Sequence, residues 1–145
     1  MAVTRSRAYK LQLSADGIQL FLRDHFRLCR LVGDLLPHGA TLYVAVAGLD
    51  QCTTEEVVDC LLDPELERYG GRIIRHVGTS PALSGRVEEV IARVMSSQRA
   101  YSAPQVWKIF LTGLMTIAEL ADRELLDLYN KTSGEIGRPQ IDNRI

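Results

Sequence analysis

A chain of 145 residues, 46% hydrophobic and 24% charged, has room for one domain with a real core and is too apolar for wholesale disorder. Its formal net charge of -1 excludes a nucleic-acid binder that works by bulk electrostatics, leaving only a local basic face for such a role. No run reaches the ~18 to 20 apolar residues of a bilayer span. No apolar signal core follows the basic N-terminus, and three cysteines without CxxC spacing read as reduced thiols, so the expected compartment is the cytoplasm.

"YKLQLS", residues 9–14, alternates apolar and polar positions and predicts a strand. Ile18, Phe21, Leu22, Cys29, Val32 and Leu36 then fit a helix from about residue 17 to 36, capped near Ser14 or Asp16 and broken by "PHG". The alternative is a hairpin that turns at "ADG" and returns through "IQLFLRD". Residues 42–47 are almost continuously apolar, which predicts a central strand covered on both faces and ended by Gly48. Thr53 with Glu56 three positions later has the form of a capping box, in which each side chain satisfies a backbone N–H. The helix it opens carries Val57, Val58, Leu61 and Leu62 inward, is interrupted at Pro64 and ends at "YGG", residues 69–71.

"RIIRHV", residues 72–77, reads as a half-exposed strand because Arg72, Arg75 and His76 sit among its apolar residues. The next helix turns Val87, Val90, Ile91 and Val94 inward and Glu88, Glu89 and Arg93 to water. "QVWKIFLTG", residues 105–113, predicts another glycine-ended strand, followed by a helix striped with Ile117, Leu120, Ala121, Leu125 and Leu128. Three Gly-ended strands that each lead into a helix read as βαβ units. The expected fold is therefore α/β (or α+β): a single domain over residues 1–130, with a three- to four-stranded parallel or mixed sheet packed by four helices. Residues 131–145 lack periodicity and predict a flexible tail.

In an open parallel sheet, ligands bind beyond the carboxyl ends of the strands. The richest such edge holds Gly78, Thr79, Ser80, Ser84, Gly85 and Arg86, whose hydroxyls, cation and helix N-terminus suit an anion. Neither nucleotide fingerprint, G-x-G-x-x-G nor G-x-x-x-x-G-K-[ST], is present. No cofactor is expected, and without paired His or Cys spacing no metal is expected either. Asp50, Glu55 and Glu56 are favoured at a helix start by its dipole alone, and Cys52 would need a histidine beside it to act as a nucleophile.

The clearest interaction feature is "RDHFRLCR", which puts Arg23, Arg27 and Arg30 on one helical face at i, i+4 and i+7. Its complements are an acidic protein, an anionic membrane surface or a nucleic-acid backbone. Tyr101 and Trp107 form a second, aromatic patch of a kind enriched in binding hot spots. The expected function is a non-catalytic protein-interaction or self-assembly module, a class that includes structural proteins of viruses and other particles. It acts through the basic helix face and the aromatic patch. The competing expectation is a small enzyme or ligand-binding domain that holds a phosphate or nucleotide at residues 78–86.

Gly48, Leu49, Gly70, Gly71, Ile73 and Ile74 give residues 42–77 a faint similarity to the start of a BRCT domain. There a strand ending in a Gly-hydrophobic turn leads through a helix to a Gly-Gly pair and a second strand. The chain departs from that pattern afterwards. No Thr-His-hydrophobic strand follows, and Trp107 precedes the last apolar segment instead of lying in the final helix, so the family is not assigned.

Overall fold

Residues 42–48 carry apolar or small side chains at every position, so no face of this segment can be left in water. The segment does not form the expected central strand. In the computed structural model, which describes residues 7–100 and 102–137, it is the core of helix α2 (His38–Gly48), preceded by Pro37 and buried at every position from Gly39 to Gly48. A helix satisfies its own backbone groups, so it can be surrounded on all sides without sheet neighbours. A short apolar run fits either element by periodicity alone.

Residues 105–113 are corrected in the same sense. Helix α6 (Val106–Ala118) runs straight through Gly113. That glycine is a contact point and not a terminator. A Cβ placed there would lie 2.5 Å from the Ala45 carbonyl oxygen and 3.1 Å from the Ala45 Cβ. The backbones of α2 and α6 therefore touch, and this pair is the centre of the molecule. Gly39 plays the same part at the other end of α2, where a side chain would collide with the Gly78 carbonyl.

The remaining elements wrap this pair. Strand β1 (Arg7–Leu13) and strand β2 (Ile73–Thr79) form a two-stranded antiparallel sheet with Tyr9 opposite Val77 and Leu13 opposite Ile73. The architecture among the described residues is thus α+β, with seven α-helices and one small sheet, in place of a three- to four-stranded sheet with four helices. Tyr9, Leu11, Leu13 and Val77 face the core, while Lys10, Ile74 and His76 face water. Helix α1 (Ala15–Val32) starts at Ser14, whose Oγ accepts from the Gly17 N–H at 3.1 Å. It ends at Gly33, whose left-handed φ of 78° lets its N–H reach the Cys29 carbonyl.

The Thr53–Glu56 capping box opens α3 (Thr54–Leu62), with hydrogen bonds of 2.9 and 3.1 Å. Pro64 separates α3 from the short α4 (Leu66–Tyr69), and Gly70 follows as expected. Helix α5 (Ala82–Met95) buries Leu83, Val87, Val90 and Val94. The expected last helix is two pieces. Helix α6 ends at Ala118, and α7 (Asp122–Ile136) begins after a turn where the Ala121 N–H donates to Glu124 Oε1 at 2.9 Å. Residues 131–136, expected in a flexible tail, are the last turns of α7. Residues 138–145 lie outside the described residues.

All these elements contribute to one core that includes Leu28, Leu42, Val44, Val90, Ile109, Phe110, Leu114 and Leu125. No helix among the described residues is long and apolar enough to cross a membrane.

The contact between α2 and α6 yields a direct test. Gly113→Ala must push two helix backbones apart and should lower the unfolding free energy by about 2–3 kcal/mol. Gly85→Ala adds a methyl where nothing lies within 4 Å, and should raise it by roughly 0.5–1 kcal/mol through helix propensity. Chemical denaturation of the two variants measures both signs.

Candidate functional site

The residues of the expected anion cradle do lie together, at the end of β2 and the start of α5. Ser80 Oγ accepts from the Ala82 N–H at 3.3 Å and donates to the Glu135 carbonyl at 2.9 Å, and Ser84 Oγ donates to the Pro81 carbonyl at 3.0 Å. Gly78 and Thr79 end the strand, and Gly85 sits on the open side of α5.

Arg86, the only cation in the set, faces away from the solvent edge. Its Nη2 binds Glu135 Oε2 at 2.8 Å, its Nε donates to the Tyr43 hydroxyl at 3.0 Å, and its Nη1 pairs with Asp50. Tyr43 completes the network by donating to Glu135 Oε2 at 2.6 Å. Burial pushes the Tyr43 phenol up to about 12, with the Glu135 carboxylate adding to the rise. The hydrogen bond from Tyr43, with Arg86 beside it, holds the Glu135 carboxyl below its usual range. Arg86 therefore links α2, α5 and α7, and its charge is matched by two carboxylates. A hollow of about 470 Å³ beside residues 78–81 has one charged side chain in its wall, the carboxylate of Glu135. That wall does not complement an anion.

The three arginines of α1 have different fates. Arg27 Nε donates to Asp122 Oδ1 at 2.8 Å and its Nη1 to the Ile117 carbonyl at 3.2 Å, while Nη2 reaches the Leu120 carbonyl. These carbonyls lie in the last turn of α6 and just beyond it, so Arg27 pins α1 to the α6–α7 turn. Arg23 and Arg30 stay exposed, and neither has a carboxylate partner among the described residues. Arg30 lies over the Phe26 ring, 5.7 Å from its centroid.

Tyr101 lies outside the described residues. Trp107 is half-buried, with its ring against Gly70, where a Cβ would come within 2.7 Å of it. The indole is packing material at the α4–β2 junction, and its Nε1 is buried without a hydrogen-bond partner among the described residues.

What periodicity did not reveal is how much apolar surface α1 leaves uncovered. Leu22 is 46% exposed, Phe26 64% and Leu35 90%, and Ile74 on the neighbouring strand is 46% exposed. Two hollows meet at Leu22. One of about 230 Å³ runs over Ile18 to Arg75 and His76, and one of about 710 Å³ is lined by His25, Phe26, Cys29, Arg30 and Leu35. Arg75 lines the smaller hollow and Arg30 the larger one, where Asp34 is the one carboxylate in the wall, while Arg23 lines a separate hollow with Glu56 and Glu119. Among the described residues, Arg75 donates to the neighbouring Ile74 carbonyl and to no carboxylate. A signal was available in the sequence, since Ile18, Leu22, Phe26 and Cys29 share one side of the α1 turn repeat while Leu20, Phe21 and Leu28 share the other.

Beneath the strip, His25 Nδ1 lies 2.7 Å from Thr41 Oγ1 and its Nε2 lies 3.7 Å from Cys29 Sγ. His38 and Phe21 pack on the same ring, with centroids 4.7 and 5.6 Å away. Burial, with the nearby His38, lowers the His25 pKa. Cys52 instead faces the Gly48 carbonyl at 3.8 Å, and burial raises its thiol pKa, with the Glu56 carboxylate adding to the rise. Asp50 is committed to Arg86, with Arg93 at 3.9 Å. Among the described residues no group of three His, Cys, Asp or Glu side chains is arranged to hold a metal ion.

Comparisons of the chain with protein-family models, curated proteins and solved structures find no match.

On the opposite side of α1, Asp24 is 1% exposed and its Oδ2 has no hydrogen-bond partner among the described residues. Burial raises its carboxyl to about 7, against the opposing pull of Arg23 and Arg27. Because the folded value exceeds the unfolded one, this group's contribution to stability is complete below about pH 4 and is lost as pH rises through about 7. Asp24→Asn should match the wild type at acid pH and exceed it by on the order of 2–4 kcal/mol at pH 8. Denaturation series at several pH values measure the difference.

Proposed function

We propose that the chain is a non-catalytic interaction and self-assembly module that works through the outer face of α1 and the adjoining edge of β2. One observation carries this reading. Three of the six large exposed hydrophobic side chains among the described residues, Leu22, Phe26 and Leu35, gather there, and Arg30 and Arg75, which lack carboxylate partners among the described residues, line the same two hollows. Large apolar side chains held in water at one place are characteristic of interaction surfaces. The cations beside them select a partner with carboxylates around an apolar centre and speed its approach.

The stripe of three arginines is thereby reduced to Arg23 and Arg30, because Arg27 belongs to the internal scaffold. Trp107 is not part of the reading, since its ring is committed to Gly70. A phosphate or nucleotide at residues 78–86 finds little support in a site whose cation is neutralised by Asp50 and Glu135. A nucleic-acid backbone would answer the cations but leave Phe26 and Leu35 without an apolar seat, which favours a partner that has apolar surface of its own.

Light scattering over a concentration series, at low and at high salt, tests the proposal. The mass should rise with concentration and fall with added salt. Phe26→Ser or Leu35→Ser should each weaken association about tenfold or more, as expected when one buried apolar side chain is lost from a contact. The mass of a single chain at every concentration and salt would overturn the reading.

A further inference from the structure

The strip on α1, with cations beside it, needs an anionic partner surface, and the same chain carries one. We infer that the strip docks on the outer face of α5 of a second copy, so that copies join head to tail. This rests on the reading of α1 as the interaction face.

The charge pattern argues first against a symmetric pairing of two α1 faces. Such a contact would set Arg23, Arg30 and Arg75 of one copy against the same residues of the other. Among the described residues none of the three has a carboxylate partner of its own. Like charges brought together in an interface penalise it. The receiving surface must therefore be a different, acidic one.

The outer face of α5 has that composition. Glu88 and Glu89 are exposed and have no ion-pair partner among the described residues, and between them Gly85 and Ala92 keep the surface low. A Cβ at Gly85 would meet nothing within 4 Å. Met95, 44% exposed, adds an apolar edge. The helix's own cations do not neutralise this face, because both are turned inward. Arg86 binds Asp50 and Glu135, while Arg93 donates to the Leu49 carbonyl at 3.0 Å and the Cys52 carbonyl at 2.6 Å.

A low floor with two carboxylates is thus the counterpart of raised apolar side chains with arginines beside them. The two faces belong to different parts of the fold. Helices α1 and α5 both pack on α2 and α6, α1 also on α4, α7 and β1 and α5 also on α3, and the two make no substantial contact with each other, so both can be engaged at once. Contacts of this kind propagate into rings or filaments.

Two double variants test the inference by light scattering, each first checked for an unchanged melting temperature. Phe26→Ser with Arg30→Ser disables the α1 face, and Glu88→Lys with Glu89→Lys disables the α5 face. Each alone should have the mass of one chain at concentrations where the wild type associates. An equimolar mixture should form pairs and stop there, because only one intact face of each kind remains. If the α5 variant associates like the wild type, or the mixture stays at the mass of one chain, the head-to-tail arrangement is wrong while the α1 reading stands. If the α1 variant keeps wild-type association, the α1 reading itself fails.

Discussion

The contact on which the rest depends is the meeting of α2 and α6 at Ala45 and Gly113. Two helices that are apolar on nearly every side can be buried together only if their backbones come close enough to leave no void. Gly113 removes a side chain that would hold them apart. Once the pair is in place, the other elements have little freedom. The end of β2 is fixed by Gly39 against the Gly78 carbonyl, and α7 is tied to α2 and α5 through Tyr43, Glu135 and Arg86. Arg27 fastens α1 where α6 ends. The surface helices are positioned by the buried pair, and so are the side chains they present to water.

Arginine does two jobs in this molecule, and the division decides what its surface offers. Arg27, Arg86 and Arg93 reach inward to carbonyls and carboxylates at helix ends and turns. Their planar forks satisfy several acceptors at once, which a lysine ammonium would do less well. Arg23, Arg30 and Arg75 are left outside, next to Leu22, Phe26 and Ile74. On α5 the same division works in reverse. Inward-facing arginines leave Glu88 and Glu89 as the outer charges. Internal structure thus creates the two oppositely charged faces.

Local signals in the sequence were legible where a side chain acts on its own backbone. Ser14, the Thr53–Glu56 pair, Pro64 and the Tyr69–Gly70 stop all do what their chemistry predicts. Of the two strands among the described residues, β1 was readable from its alternation and β2 from an apolar run interrupted by charge, although not their antiparallel pairing across some sixty residues of chain. The failures were residues 42–47 and 105–113, where continuous apolarity fits a buried strand and a buried helix equally. The small residues Gly39, Ala40, Ala45, Ala47 and Gly113 were the available hint, since close helix packing needs them and a strand does not. The split between Arg27 and Arg30 was not legible. They lie three residues apart on one helix, and only the place where α6 stops assigns Arg27 to the interior. Asp24 was readable in hindsight, because it falls four residues from both Leu20 and Leu28 on the buried side of α1.

Hydrogen exchange followed by mass spectrometry, in dilute and in concentrated solution, tests the account most directly. The amides of residues 41–47 and 109–114 should exchange last in both, as expected for a buried helix pair. Added protection on concentration should fall on residues 18–35 and 85–96. Protection gained instead at residues 78–81 and 134–137, or rapid exchange at 41–47, would contradict it.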